Sequence, residues 1–317
     1  MEPNIAIPLT ASLTHTSIES LPLVAADPGG PVDVRQDQLQ SWIGRSERFE
    51  DTVYPTPVVA LTATLDHPAA PLGPGTPLPP LWHWLYFLPT HRQSEIGPDG
   101  HAKRGSFLPP VPLPRRMWAG SQFDFRSPIR VGDRVARTSI IDDVTVKDGR
   151  SGKLVFVKVR HEVRCNEAGE PALIEFHDIV YRAAQGPTDV APPPQPAPTD
   201  ATWRREIVPD DVLLFRYSAL TFNGHRIHYD RQYVTQVEGY PGLIVHGPLI
   251  ATLLMDLLRR QMPDADVASF RFKAVRPTFD LNPFHVSGQA HADGKTIRLW
   301  ASDHEGWLTM DATATLR

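Results

Sequence analysis

Several features that assign a chain to a class at sight are absent or scarce in this sequence of 317 residues. It contains one cysteine, Cys165, which cannot form an internal disulfide and which we interpret as a reduced thiol. No apolar run is both long enough and free enough of charge to predict a membrane span. The N-terminus also lacks the basic start and continuous apolar segment of a secretory signal, so we expect a cytoplasmic protein.

Excess positive charge and phosphate-binding loops are missing as well. The net charge is −4, which argues against a nucleic-acid or membrane-surface binder. Because there is no glycine-rich phosphate loop, nucleotide hydrolysis and dinucleotide redox chemistry have no support, and we expect no cofactor. The chain is 41% hydrophobic and 21% charged, which is typical of a globular protein with a substantial core and room for two domains.

Proline, in contrast, is abundant at 33 residues, and it marks the clearest boundary. The proline-rich segment 185–200 favours an extended polyproline II conformation, which separates compact units. We therefore predict an N-terminal domain at 1–184, a linker at 185–200 and a C-terminal domain at 201–317. The first part of the N-terminal domain, 1–33, is predicted to begin as a flexible tail.

Each predicted domain shows a helical pattern followed by strand patterns. Residues 81–87 predict a short buried helix, and apolar residues at spacings of three and four predict another over 248–260. Residues 123–129 and 270–278 both alternate apolar and polar side chains before a proline, as half-buried strands do. These patterns predict an α+β fold, with strands at 117–125, 134–145, 154–164, 175–181, 268–276, 285–292, 296–302 and 307–316.

The segment 219–230 is the most informative part of the sequence. It concentrates five polar or ionisable side chains, and it precedes a glycine-containing turn and the apolar helix that begins at Gly247-Pro248. A helix start exposes unpaired N–H groups that can bind an anion or a polarised carbonyl oxygen. Histidines next to such a start indicate acid–base chemistry beside an oxyanion site. The five side chains are Asn223, His225, Arg226, His228 and Asp230.

These residues, together with the blocks 78–87, 107–120 and 178–182, resemble the two-hot-dog hydratase/dehydratase family. The resemblance covers most of the chain. It implies a double hot-dog fold, in which two antiparallel sheets are each wrapped around a central helix. The C-terminal domain would be the MaoC-like catalytic one.

Wider relatives, the R-specific enoyl-CoA hydratases, have a motif of Asp, Asn-Pro and His. Laid over this chain, the resemblance implies that His228 is the catalytic histidine and that Gly247 supplies the oxyanion N–H. Asn223 stands where the motif has Asp, and His225 and Arg226 stand at the Asn-Pro. Since an amide cannot act as a general base, we interpret His228 as the base and Asn223 as holding the water.

The resemblance implies a hydro-lyase that adds water reversibly across the double bond of a 2-enoyl-CoA thioester. The expected reaction converts mesaconyl-C4-CoA to citramalyl-CoA. Itaconyl-CoA hydration and dehydration of 3-hydroxyacyl thioesters of CoA or acyl-carrier protein are the alternatives. From other functional classes, a hot-dog thioesterase or a non-catalytic acyl-binding protein also stays open. The thioesterase usually needs a carboxylate where this chain has Asn223.

Each site residue also has a structural interpretation. His228 could be a core or interface histidine, and the role of Asn223 could be limited to shaping a turn. His225 is the competing base, and His246 is expected to orient the loop. Asp230 could anchor His228 or cap a helix. The pair His225 and His228 has no third ligand at an established spacing, so we expect no metal.

Binding residues follow from the expected substrate. A free carboxylate needs a cation, for which Arg115, Arg116 and Arg226 are candidates. Lys273 and Arg276 are expected near the CoA phosphates. Trp118, with Trp82 and Trp84, is expected to shape the acyl pocket, although such aromatic residues are more often core. Apart from the acyl-CoA substrate, the only partners expected are further copies of the chain, in a possible homodimer or higher homo-oligomer.

Overall fold

Antiparallel strands form one continuous ten-stranded sheet in the described part of this computed structural model. The described residues are 35–68, 72–103, 106–149, 152–166, 168–183 and 193–317. The predicted tail 1–33 and residues 185–192 of the predicted linker lie outside them. The strands are β1 Ser46–Thr52, β2 Arg115–Phe125, β3 Arg134–Gly149, β4 Gly152–Cys165, β5 Leu173–Arg182, β6 Trp203–Ile207, β7 Val267–Ala274, β8 Phe284–Ala290, β9 Thr296–Ser302 and β10 Leu308–Leu316.

The strand order is β1-β3-β4-β5-β2-β7-β10-β9-β8-β6. The first five strands come from before the proline-rich segment and the last five from after it, and each half has the same internal order. The halves join where β2 pairs with β7, with Phe123 opposite Phe270. These are the two segments that alternate alike in the sequence. The pairing therefore places equivalent strands of the two halves side by side at the centre of the sheet.

Eight strands lie within a few residues of their predicted bounds, while β1 and β6 were not predicted. Both are edge strands, with the sequences SERFEDT and WRREI. Because one side of an edge strand is exposed and charged side chains protect it from pairing, its apolar periodicity is weak. The α+β class is confirmed.

The helices are α1 Gln36–Gln40, α2 Pro55–Thr64, α3 Asp211–Leu220, α4 Arg231–Gln236 and α5 Gly247–Gln261. Helix α5 is the predicted central helix of the C-terminal half, and its residues from Leu249 to Leu258 are all buried. None of the described helices is long and apolar enough to cross a membrane.

The predicted helix at 81–87 is wrong in type, because only a 3-10 turn, Trp82–Leu85, forms there. Leu81 adopts the left-handed region at φ 73°, and two prolines precede it, so an α-helix cannot extend backwards from this point. The N-terminal half therefore has a short buried turn where the C-terminal half has α5.

A buried polar group separates two apolar clusters along β5. Leu173 belongs to the large cluster around α5, whereas Ile179 and Tyr181 belong to a second one. Between them Glu175, 4% exposed, receives hydrogen bonds from Ser121, Trp84 and the His83 ring. Although burial alone raises the pKa of Glu175, the hydrogen bond from His83 holds it below the usual range. A buried carboxylate is tolerated here because it is fully hydrogen-bonded.

A second buried carboxylate fixes α5. Asp256 is 1% exposed on a helix otherwise lined with leucine. Its Oδ2 lies 2.8 Å from Arg205 NH1 of β6 and 2.8 Å from Arg260 Nε of its own helix, and its Oδ1 contacts the His67 ring. These ion pairs tie α5 to the edge strand and to the segment after α2.

We predict that Asp256→Asn lowers the free energy of unfolding by about 3 kcal/mol, because it leaves partly buried arginines without a counter-charge. Urea denaturation measures this. Asp311→Asn is the matched control, since Asp311 pairs with Arg298 at the surface, at 3.9 Å, and should cost less than about 0.5 kcal/mol. Equal effects of the two substitutions would contradict the role of Asp256.

Candidate active site

The loop after α3 is shaped by Asn223. Phe222 takes a left-handed conformation at φ 49°, and the Asn223 N–H donates to the Ser218 carbonyl at 2.8 Å. Asn223 Oδ1 then accepts the His225 N–H at 3.0 Å, which is an Asx turn. The amide oxygen expected to hold water is thus engaged with the loop backbone, so the structure supports the turn-shaping alternative.

His228 is held in one tautomer. It ends the 3-10 turn Arg226–His228 and is 8% exposed. Its Nδ1 lies 2.7 Å from the carbonyl oxygen of Ile244, and a carbonyl can only accept, so Nδ1 carries the proton. Burial lowers the pKa of His228 to about 4. The ring is therefore neutral near pH 7, and Nε2 has a free lone pair.

Two further histidines contact this ring. His246, fully buried, stacks on His228 with ring centroids 3.8 Å apart, and its Nε2 lies 2.8 Å from Ser218 Oγ. The His225 ring is perpendicular to the His228 ring, and their centroids are 5.4 Å apart. Burial lowers the pKa values of His225 and His246 well below the usual range. His246 thus has the contacts of an orienting residue. His225 is a second titratable ring beside His228.

Helix α5 begins at Gly247 as expected. No described residue accepts a hydrogen bond from the Gly247 N–H, and a Cβ built on Gly247 would meet no atom within 4 Å. The first turn also carries the positive end of the helix dipole. An N–H donor without a protein acceptor at a helix start can bind an oxygen on which negative charge develops.

A segment of the N-terminal half lies against this loop, and it was not predicted from the sequence. The Arg226 N–H donates to the Asp99 carbonyl at 2.9 Å, and the Asp99 carboxylate lies 3.1 Å from His101 Nδ1. The His101 ring in turn packs on the His225 ring, with the ring centroids 3.9 Å apart. The only signal in the sequence is an Asp and a His two residues apart in a glycine-rich turn, which is common elsewhere.

Asp99, His101 and His225 present ligand-type atoms within 4.8 Å of one another. This set could hold a divalent cation, with the third donor coming from the other half of the chain. The spacing of His225 and His228, considered for a metal, is not the pairing that forms. Although burial alone raises the pKa of Asp99, hydrogen bonds from His101 lower it below the usual range, so the carboxylate is ionised.

The three candidate arginines differ in their partners. Arg226 donates to Asp230 Oδ2 at 2.8 Å and to the Pro98 carbonyl at 3.0 Å, and Asp230 also caps α4. Arg115 donates to the Tyr240 hydroxyl and the Glu238 carbonyl, both at 3.3 Å. Arg226 and Arg115 therefore brace loops, whereas the surroundings of Arg116 differ.

Arg116 is half-buried on β2, and its side chain has no hydrogen bond or ion pair within the described chain. Its charge lowers the pKa values of both His177 and His225, after the larger effect of burial. The Arg116 charge therefore acts on histidines of both halves, and its guanidinium is available to an anion.

The residues expected near the CoA phosphates and in the acyl pocket have the following surroundings. Lys273 is exposed on β7, beside a groove of about 410 Å³ that Lys147 and Lys158 also line. Arg276 pairs with Asp303 at 3.7 Å. Trp118 contacts His177 and Trp84, and Trp82 is core.

Comparisons with known proteins identify the family. The family model described as hydroxyacyl-thioester dehydratase type 2 matches residues 81–280. A mesaconyl-C(4)-CoA hydratase from Chloroflexus aurantiacus is 45% identical over 281 residues, which cover 87% of this chain and 97% of that protein. A mitochondrial hydroxyacyl-thioester dehydratase type 2 from Schizosaccharomyces pombe is 25% identical over 67% of this chain and 77% of its own.

Solved structures identify the fold. A MaoC-like dehydratase from Phytophthora capsici superposes with a TM-score of 0.63 at 12% identity, covering 90% of this chain and 98% of that one. A Mycobacterium tuberculosis protein described as having a double hotdog fold superposes with a TM-score of 0.54 at 14% identity, covering 86% and 96%. The sheet described above is therefore a double hot-dog, as expected.

The buried histidines predict acid lability. Burial lowers the pKa values of His228 and His177 to about 4 and of His161 to about 3, whereas in the unfolded chain each titrates near about 6.5. Between these values the unfolded state binds more protons. The free energy of unfolding should therefore fall as the pH falls from about 6.5 towards 4, by up to about 1.4 kcal/mol per pH unit for each histidine.

Urea denaturation at several pH values measures this slope. His161→Gln should reduce the slope, because it removes one buried histidine away from the His228 loop. A free energy of unfolding that does not change between about pH 7 and pH 5 would contradict the assignment.

Proposed function

The chain belongs to the hydroxyacyl-thioester dehydratase type 2 family, and from this premise we propose that it hydrates mesaconyl-C4-CoA to citramalyl-CoA, reversibly. Members of this group are hydro-lyases that act on acyl thioesters, and this chain is an enzyme of that type. The specific substrate is our proposal. It is supported by the 45% identity to a mesaconyl-C(4)-CoA hydratase along 97% of that protein. We also propose that the C-terminal half, 201–317, is the catalytic hot-dog unit.

His228 is the proposed base. As the water oxygen bonds to the β-carbon, Nε2 of His228 removes one of its protons, and the electrons of the double bond move towards the thioester oxygen. The α-carbon then takes up the proton held on His228 Nε2, which returns the ring to its neutral form, so that one H and one OH are added in total. The observation that carries this role is the 2.7 Å contact from Nδ1 to the Ile244 carbonyl, which leaves Nε2 unprotonated.

Gly247 is the proposed oxyanion donor. Its N–H has no acceptor in the described chain, at the start of a fifteen-residue helix. The enolate oxygen formed during water addition carries the negative charge that such a donor binds, and a single oxyanion donor contributes about 3 kcal/mol to transition-state stabilisation. His228 and Gly247 therefore act on opposite ends of the same conjugated system.

Arg116 is the proposed partner of the free carboxylate. In mesaconyl-C4-CoA the carboxylate is attached to the β-carbon, the atom that receives the hydroxyl group. Its cation must therefore lie beside the acid–base residues. Arg116 meets this requirement because its charge acts on His225, whereas Arg115 and Arg226 are already hydrogen-bonded to protein groups.

Mass spectrometry of parallel incubations with mesaconyl-C4-CoA, itaconyl-CoA and crotonyl-CoA tests the activity. We expect mesaconyl-C4-CoA to gain one water with its thioester intact. His228→Ala should slow this reaction by about 1000-fold, since general base catalysis contributes about 100- to 10,000-fold. His291→Ala, at an exposed turn, is the control and should keep wild-type activity.

Other products would change the assignment. Hydration of crotonyl-CoA alone would indicate a general 3-hydroxyacyl-thioester dehydratase, and release of free CoA would indicate a thioesterase. Full activity of His228→Ala would remove His228 as the base.

Arg116→Met separates substrate recognition from catalysis. It should lower kcat/KM for mesaconyl-C4-CoA by about 10- to 100-fold, because a charge-assisted hydrogen bond contributes about 1.5–3 kcal/mol. Hydration of crotonyl-CoA, which has no free carboxylate, should not fall. Arg115→Met is the matched control on the same strand, and it should affect both substrates alike. Equal losses on both substrates in Arg116→Met would contradict the assignment.

A further inference from the structure

The loop between α3 and α4, residues 221–230, has no free carboxylate near His228. Asn223 stands where the wider relatives' motif has Asp, and its Oδ1 accepts the His225 N–H. Asp230, the acidic residue of the loop, caps α4 and pairs with Arg226. A carboxylate that takes part in the acid–base chemistry must therefore come from outside the loop.

Residues 98–101 of the N-terminal half lie directly against this loop. Gly100, at φ 89°, packs so closely that a Cβ there would lie 1.8 Å from the Gly224 carbonyl oxygen. Arg226 binds the same segment twice, through its backbone N–H to the Asp99 carbonyl and through NH1 to the Pro98 carbonyl. The position of Asp99 relative to the loop is thus set by backbone contacts.

From Asp99 a chain of contacts leads to the proposed base. The carboxylate accepts the His101 backbone N–H at 3.0 Å and lies 3.1 Å from His101 Nδ1. The His101 and His225 rings are 3.9 Å apart, and His225 is perpendicular to His228 at 5.4 Å. An ionised carboxylate beside Nδ1 favours the tautomer with the proton on that nitrogen. Asp99 therefore orients His101, and His101 packs on His225.

We propose that Asp99, acting through His101, supplies from the N-terminal half the carboxylate that position 223 lacks, and that it positions His225 as the second acceptor for the attacking water. The proposal rests on hydration at His228. In the reaction, His228 Nε2 removes one proton of the water while neutral His225 accepts a hydrogen bond from the other. No proton is transferred to Asp99, which is a positioning residue, and the net change is the addition of one H and one OH.

Restoring the carboxylate at position 223 provides a specific test. Asp99→Asn keeps the size of the side chain, and it should lower kcat on the order of 100-fold with little change in KM. Asn223→Asp in the same chain should recover most of that loss, because the carboxylate is then supplied from the loop. Asn223→Asp alone should change kcat by less than about threefold, since Asp99 already serves this purpose. A merely structural Asp99 would show no such rescue.

Asp293→Asn is the matched control. Asp293 also accepts backbone N–H groups in a turn, from Lys295 at 2.9 Å and Thr296 at 2.8 Å, but its turn joins β8 to β9 in the C-terminal half. This variant should keep wild-type kcat, and adding Asn223→Asp to it should bring no gain. All variants are compared on one substrate, so the result does not depend on which acyl group is natural.

Two results would overturn the proposal. Either Asp99→Asn keeps wild-type kcat, or it loses activity that Asn223→Asp does not restore. Both are distinct from failure of the proposed function, which would appear as no hydration by the wild-type protein, and from failure of the base assignment, which would appear as full activity in His228→Ala.

Discussion

The hydrogen bond from His228 Nδ1 to the Ile244 carbonyl is the interaction on which the site depends. It decides which nitrogen carries the proton, and therefore which nitrogen can remove one from water. Ile244 is itself held by the hydrogen bond from its N–H to the Ile227 carbonyl, at 3.0 Å, and Val245 donates to the Thr278 carbonyl at 2.9 Å. A backbone carbonyl fixed in this way keeps the ring oriented without adding a charge to a buried site.

The same short segment leads from this carbonyl to the oxyanion donor. Two residues, Val245 and His246, separate Ile244 from Gly247, and the His246 ring stacks on that of His228. Because α5 is anchored by its leucine-lined face and by Asp256, the helix start and the histidine ring keep a constant relation. The proposed base and the proposed oxyanion donor are thus positioned by one segment, and water addition to a conjugated thioester requires such a fixed relation.

The N-terminal half contributes to the proposed site through residues 98–101, where the Pro98 and Asp99 carbonyls accept hydrogen bonds from Arg226. The two halves also share one sheet, through the pairing of β2 with β7. The proposed base and oxyanion donor thus lie in one of two similar halves, and the proposed carboxylate partner and positioning residues lie in the other. The short 3-10 turn that replaces a central helix in the N-terminal half accompanies this difference in roles.

The sequence predicted the features that depend on local periodicity. Eight strands and α5 were visible because their side chains alternate or recur as a half-buried strand or a buried helix must. The edge strands β1 and β6 were hidden by their charged residues, and the turn at 82–85 was mistaken for a helix despite the two prolines before it. The motif around His228 was visible because its residues are close together in the sequence.

The rest of the site depends on contacts between distant segments. Asp99 is more than a hundred residues from His225 in the sequence, and nothing local to either residue indicates that they meet. The three candidate arginines look alike in the sequence. They become distinct only through the partners that Arg115 and Arg226 find in the folded chain.

The most direct test of this account is the tautomer of His228. Nitrogen-15 NMR of histidine-labelled protein near pH 7, with His228 identified by its substitution, distinguishes a protonated from an unprotonated ring nitrogen. We expect a neutral His228 ring with the proton on Nδ1 and a free lone pair on Nε2. A proton on Nε2, or a doubly protonated ring at this pH, would contradict it.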